Sequence, residues 1–281
     1  MQLRKLALSR RNAHPLAHPA LLTAAAVFAF PLVWMVLSSL KSANQLTEDP
    51  YAFWPSRWEW NNYPEALASL PYLRYLRNSL VLCTGSVIGS VCSCSLVAYG
   101  LSRLRWRGRN IVFGVLIATM LLPWHVTMIP RFLLLRELGL YNSLAALIVP
   151  TFLGDAFFIF LLRQFFLTIP DELSEATRID GLGEWGIFTR IIVPLSKPAM
   201  VTVALFQFIA SWNDFNGPLL YLSDRKKFPL AYGLEQFVSS YSDQTHLLLA
   251  AAVLFTLPMV VLFLLAQQSF LKGIATTGIK G

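Results

Sequence analysis

The stretch PDELSEATRIDGLGEWGIFTRIIVPLSKP, residues 170–198, lies between long apolar runs, and its reading decides how the rest of the chain is read. It carries five of the fifteen Asp and Glu residues: Asp171, Glu172, Glu175, Asp180 and Glu184. A mostly apolar chain that concentrates so much charge in one connection is building a surface for a partner. Locally the stretch reads as a short helix, a break, a second short helix and then a membrane span. Asp171 follows Pro170 and suits a helix start as its cap, with acids in the first turn at the positive end of the dipole. Gly181 and Gly183 interrupt that helix, because glycine reaches the backbone values a sharp turn needs. Pro194 and Pro198 bound the next element. On a helical wheel Asp171, Glu175 and Arg178 share one face, while Leu173, Ala176, Thr177 and Asp180 share the other. Small residues in the middle let a second backbone approach and a charged rim can pair with it, which is what a docking helix needs.

Composition sets the surroundings of this stretch. The chain has 281 residues, of which 56% are apolar and 14% charged, with a mean hydropathy of +0.55. Soluble domains carry about a quarter charged residues, so the deficit points to a membrane. A spanning helix needs about 20 mostly apolar residues. Six such runs fit, at about residues 19–40, 78–101, 111–129, 142–162, 191–211 and 247–267. The expected fold is therefore an all-α integral membrane protein of six transmembrane helices. The polar loop, residues 170–190, connects the fourth to the fifth. Residues 1–18 form a short N-terminal segment and residues 19–281 a single transmembrane domain.

Individual segments refine this outline. The first run reads as a retained helix rather than a signal peptide, being longer than a signal core and lacking a small-x-small site before Lys41. Residues 41–77 hold Trp54, Trp58 and Trp60, which suit anchoring at the membrane–water boundary. Span two contains all three cysteines. Cys92 and Cys94 are two residues apart and point to different faces, so with Cys83 they read as small packing residues. Gly85 and Gly89 form a small-xxx-small pair that permits close helix contact. Pro150, Gly154 and Asp155 interrupt span four.

The net charge of +8 does not imply nucleic acid, since no basic stripe interleaved with aromatics stands outside the flanks of the spans. Six spans place both termini, the loop after span two and the loop after span four on one side, which then holds 14 of the 23 Lys and Arg residues. The positive-inside rule makes that side cytoplasmic.

Glu175-Ala176-Thr177, Gly181, Ile191 and Pro194 match the pattern E-A-A, three residues, G, nine residues, I-x-L-P. This resembles the cytoplasmic coupling loop of the membrane subunits of bacterial ABC importers. PDELSEATRIDG followed by IIVPLSKPAM is similar to the carbohydrate-uptake branch of the maltose-transporter type, as are Ser211-Trp212-Asn213-Asp214-Phe215 and the tail from Phe270-Leu271-Lys272-Gly273 to Lys280-Gly281. Two departures are Thr177, where Ala is usual, and Val193, where Leu is usual. The resemblance implies a membrane-spanning subunit of an ATP-driven importer for a sugar or sugar-like solute, placed in the bacterial inner membrane with both termini cytoplasmic. It implies three kinds of partner besides lipid: a second related membrane subunit, two ATP-binding subunits that hold ATP and Mg, and an extracytoplasmic solute-binding protein. It also implies roles: Glu175 as the charged contact to the ATPase, Ala176 and Thr177 for close docking, Arg178 and Asp180 beside them, and Gly181 for the turn.

The residues themselves offer little other chemistry. There is no G-x-x-x-x-G-K-[ST] loop, so this chain is expected to hydrolyse no ATP and to be no enzyme. There is no H-E-x-x-H, Cys-x-x-Cys or G-x-S-x-G, and His14, His18, His125 and His246 are scattered, so no metal site is expected. Asp155, Asn213 and Asp214 are the polar residues that point to a translocation path, since ionisable groups at membrane depth should face protein or water. The rival classes are an ion-driven secondary transporter, which would be built from internal repeats that the sequence lacks, and an intramembrane enzyme, which would need clustered acids or histidines. The substrate stays open among sugars, sugar alcohols and glycerophosphate-type solutes.

Overall fold

The computed structural model describes residues 17–240 and 244–277. The expected N-terminal segment up to residue 16, residues 241–243 of the last outer loop and the tail from residue 278 lie outside the described residues, as does the side chain of Lys272. Among the described residues every regular element is a helix. By its internal contacts the chain falls into two units: Met1–Ser69 with Ser240–Leu254, and Leu70–Ser239 with Phe255–Gly281.

The first unit begins with α1, Ala17–Ser39, a helix with Pro31 inside it. Its apolar side chains are almost all uncovered by protein, as expected of a helix bathed in lipid. The chain then folds over itself through α2, Ala43–Glu48, capped by the Ser42 hydroxyl, and α3, Asn62–Ser69. The connection is tied by polar groups that are otherwise costly to bury. Asn62 Nδ2 donates to the carbonyls of Ser39 and Lys41 at 2.8 and 2.9 Å. Lys41 is fully buried, with its ammonium on the Ala52 carbonyl and 4.7 Å from the centre of the Trp34 ring. Trp54, Trp58 and Trp60 are exposed.

The second unit is built on α4, Tyr72–Ser102, which is long enough to cross a bilayer and packs along most of its length. The helices that follow are α5, Arg109–Thr119; α6, Trp124–Glu137; α7, Ala145–Ile148, continued by a 3₁₀ turn at Val149–Leu153; and α8, Ala156–Leu167. Next come α9, Asp171–Ile179, and α10, Glu184–Leu195, which contains a π turn at Phe188–Ile192. The last are α11, Lys197–Trp212; α12, Asn216–Tyr221; α13, Leu230–Ser240; and α14, Thr245–Thr277, which runs through both units.

Among the described residues four helical stretches are long and apolar enough to cross a membrane: His18–Ser39, Tyr72–Ser102, Ala145–Leu167 and Thr245–Leu265. The count becomes six if each of two bent pairs is one span. The expected third span, about 111–129, is such a pair: α5 stops at Thr119 and α6 restarts at Trp124, turned by 101°. Pro123 supplies no N–H to continue the ladder and keeps Leu122 out of helical values. The expected fifth span, about 191–211, starts only at Lys197, because α10 and α11 meet at 77° around Ser196. In the fourth, Gly154 at φ +89° and the Asp155 cap separate the 3₁₀ turn from α8.

α4 holds the unit together by close approach. A Cβ on Gly89 would run into the side chains of Thr151 and Phe152, and one on Gly85 into Ile148. Both glycines thus face the interrupted fourth span. Cys94 is buried in the same contact, and its sulfur accepts the Asp155 N–H at 3.3 Å. Against α11, Ser90 donates to Gln207 Oε1 at 2.9 Å while Gln207 Nε2 donates to Ser211 at 2.8 Å. Two apolar clusters flank this seam: one near Tyr99, Phe166 and Phe188, the other near Tyr75, Trp212 and Phe228.

Candidate functional site

The polar loop opens with a short helix, α9, closed at its C-terminus by a glycine. Gly181 has φ +84° and donates to the Arg178 carbonyl at 3.0 Å, while Leu182 N–H reaches back to the Thr177 carbonyl at 3.0 Å. This pair of bonds is the Schellman closure, which satisfies carbonyls that a helix end leaves open. A Cβ on Gly181 would meet nothing, so the requirement for glycine there is conformational rather than steric.

Asp171 differs from its expected role. Pro170 precedes the helix and no side chain caps it; the Asp171 carboxylate is paired instead with Arg103 at the end of α4. Arg103 is nearly buried, and the same guanidinium also donates to the carbonyls of Phe166 and Ile169, which close α8. Arg178 forms an ion pair with Glu184 across the break, Nε to Oε1 at 3.0 Å and Nη2 to Oε1 at 2.8 Å. That hydrogen bond raises the Arg178 pKa. The other Glu184 oxygen accepts the Tyr99 hydroxyl at 2.5 Å.

The two faces of α9 therefore do different things. Asp171, Ser174, Glu175 and Arg178 line an open cavity of ≈ 640 Å³ that Arg103 and Arg105 also line, and Glu175 remains exposed at it. Ser174, on this inner face, is buried. Outward, Leu173, Ala176 and Ile179 are exposed, Ile179 by 88%, and Trp185 in the first turn of α10 is exposed as well. The Thr177 hydroxyl donates back to the carbonyls of Leu173 and Ser174 at 3.0 Å, so it stays folded into the helix. Asp180 is exposed at the helix end. Ile179 and Trp185 escaped the sequence reading; their signal was an apolar residue on either side of the Asp180–Gly183 break. Tyr99 and Arg103 carried no local signal, because their partners lie about 70 to 85 residues away.

Each of the three path residues is held by bonds within its own segment. The Asp155 carboxylate accepts the N–H groups of Phe157 and Phe158 at 2.9 and 3.2 Å and caps α8, yet the residue remains exposed on the chain. Asn213 ends α11 and donates to the Ile209 carbonyl. Asp214 accepts the Gly217 N–H at 2.9 Å. Burial raises its pKa, opposed by that N–H and by Arg131. Gln207, bonded to Ser90 and Ser211, is a polar group in mid-span that sequence reading passed over.

Comparison with known proteins places these features in company. Residues 85–275 match the family model described as binding-protein-dependent transport system inner membrane component. The chain is 33% identical over 263 residues to the arabinooligosaccharides transport system permease protein AraQ of Bacillus subtilis (strain 168), covering 91% of this chain and 92% of that protein. It is 29% identical over 269 residues to the diacetylchitobiose uptake system permease protein NgcG of Streptomyces coelicolor, covering 94% and 88%. Among solved structures, a chain of a bacterial ABC transporter involved in the import of the acidic polysaccharide alginate superposes with a TM-score of 0.79. That match has 25% identity and covers 91% of this chain and 95% of the other.

Proposed function

This chain belongs to the family of inner membrane components of binding-protein-dependent transport systems, and we propose that it forms one half of the passage through which an ABC importer admits a sugar or oligosaccharide. It is a multi-pass transport subunit. A solute-binding protein delivers the solute on the outer side, a second related membrane subunit completes the passage, and two ATPase subunits bind ATP and Mg on the cytoplasmic side. This chain supplies no ATP site of its own and does no chemistry. Its relatives named for arabinooligosaccharides and diacetylchitobiose support a carbohydrate over a glycerophosphate-type solute.

The observation that carries the reading is the exposed outer face of α9, Leu173, Ala176 and Ile179, on a helix closed by Gly181 and rimmed by Glu175 and Arg178. An apolar, small-residue face with a charged rim fits a groove on an ATPase, whose closure on ATP moves the helix. Alternating access of the spans follows as a rigid-body change. Asp155, Asn213 and Asp214 are assigned to the path or to the seam with the second subunit, Asp155 because an exposed acid in a span needs protein or water beside it.

The test uses the assembly purified through this chain and reconstituted in vesicles with its binding protein and a radiolabelled arabino-oligosaccharide. Uptake is expected to need internal ATP, to stop with vanadate and to ignore a protonophore. Glu175→Lys sets like charge against the ATPase, at a cost of about 2–5 kcal/mol if the contact is desolvated, and should lower uptake by at least about tenfold. Thr177→Ala should leave uptake intact, since its hydroxyl bonds only within the helix. Uptake that collapses with the protonophore while ATP is plentiful would reassign the chain to the ion-driven class.

A further inference from the structure

One turn at the end of α4 holds both ends of the polar loop. Tyr99 and Arg103 are four residues apart and so lie one above the other on the same helix face. Arg103 grips Asp171, the first residue of α9. Tyr99 grips Glu184, the first residue of α10, and Glu184 in turn holds Arg178 in the last turn of α9. The Glu184 carboxylate is used on both oxygens, one toward the span and one toward the loop. The Tyr99 ring is buried and packs on Phe188, 5.1 Å between centroids, so the hydroxyl cannot swing away without opening the apolar cluster.

The mechanics follow from the two attachments. A helix fastened at one point can pivot; fastened near both ends to one rigid turn, it passes both translation and rotation to that turn. α4 has 31 residues and is about 46 Å long, stiff along its own hydrogen bonds. We propose that the Tyr99–Arg103 turn of α4 is the receiver of the coupling motion, with Tyr99, Glu184 and Arg103 as positioning residues that carry displacement of α9 into the second span. The proposal rests on the reading above, that an ATPase drives α9. It adds the route that the motion takes inside this chain.

The experiment reads the far end of α4. A nitroxide label is placed at Leu73, exposed on the first turn of α4, after Cys83, Cys92 and Cys94 are replaced. The assembly is purified through this chain with its co-purifying ATPase and placed in lipid nanodiscs. Spectra are compared without nucleotide and after trapping with ATP and vanadate. The native chain should shift between two spectral components. Tyr99→Phe and, separately, Glu184→Ala should reduce the nucleotide-driven change in their ratio about tenfold, the size expected when a hydrogen bond to a charged group is lost from a two-state element. The ATPase should still co-purify in native amount, because neither residue lies on the outer face of α9. Thr189→Ala, on the same loop and bonded only to the Trp185 carbonyl, should respond as native.

A native response in both variants would overturn the proposal, and so would a native assembly that holds its ATPase but shows no spectral shift. Loss of the ATPase from both variants would also overturn it, because the residues would then serve assembly. Absence of any ATPase from the native preparation would instead sink the importer reading itself, and the receiver with it.

Discussion

Arg103 and Asp171 are paired although the Arg103 side chain is 4% exposed and the Asp171 side chain 68% exposed. The two halves of this ion pair are therefore not equivalent. The guanidinium also satisfies two carbonyls at the end of α8, whereas the carboxylate stands largely in solvent. Arg103→Ala strands those carbonyls and opens a cavity, for an expected loss of about 3 kcal/mol. Asp171→Asn removes an attraction that is mostly screened, for about 0.5 kcal/mol. Thermal unfolding of the two variants in detergent checks the order. Equal losses would mean that the carbonyls contribute nothing.

Gly181 offers a test of conformation free of sterics, since open space surrounds the place of its missing Cβ. A residue other than Gly or Asn at φ +84° costs about 1–2 kcal/mol from the clash of its own Cβ with the backbone. Stimulated ATP hydrolysis by the assembly should fall in the order Gly, Asn, Ala, Val at position 181. A substitution by Ala that outperformed Asn would show that the left-handed turn is not what the loop needs.

Asp214 makes a prediction in pH. Its folded-state pKa is raised by burial, so the folded state favours the neutral acid. Stability from this group is complete below the ordinary carboxylate range and is lost as pH rises through the raised value. Asp214→Asn keeps an oxygen for the Gly217 N–H and removes the charge. The variant should unfold at a higher temperature than the native chain at pH 8, with the difference gone at pH 4. A gain that is the same at both pH values would place its origin elsewhere.

Orientation is open to labelling. Ser174 is a poor reporter because α9 buries it, whereas Ile179 is almost fully exposed. In a chain without its native cysteines, Ser56→Cys should react with an impermeant maleimide in intact cells, and Ile179→Cys only after permeabilisation. The opposite pattern would turn the molecule over in the membrane.

The sequence carried the straight spans and the loop more legibly than the bends. Runs such as 78–101 and 247–267 announce themselves because lipid demands about 20 apolar residues in a row and tolerates few alternatives. Pro194 and Pro198 flank the bend at Ser196 without fixing how far it turns, and the break at Pro123 was hidden inside a run read as one continuous span. The angles of 101° and 77° depend on what the segments pack against. In the loop, Gly181 was legible because a positive φ singles out glycine. The grip of Tyr99 on Glu184 was not, for it depends on a pairing across 85 residues that no local pattern encodes. The capping role expected of Asp171 failed for the same reason: a distant arginine outcompetes its own backbone.

Gly85 and Gly89 lead in another direction. In a membrane helix this spacing is the familiar sign of a dimer seam, and a survey of the sequence would nominate α4 for pairing with the second subunit through them. Here that surface is already spent, because Ile148, Thr151 and Phe152 of the same chain occupy the space above both glycines. Bulky replacements at 85 or 89 would register as failures of assembly while injuring the fold of a single subunit. Mapping the seam between the two halves of the importer should begin instead from the uncovered side of α4, at Leu80, Val81 and Ile88, where damage to one chain and damage to the pair can be told apart.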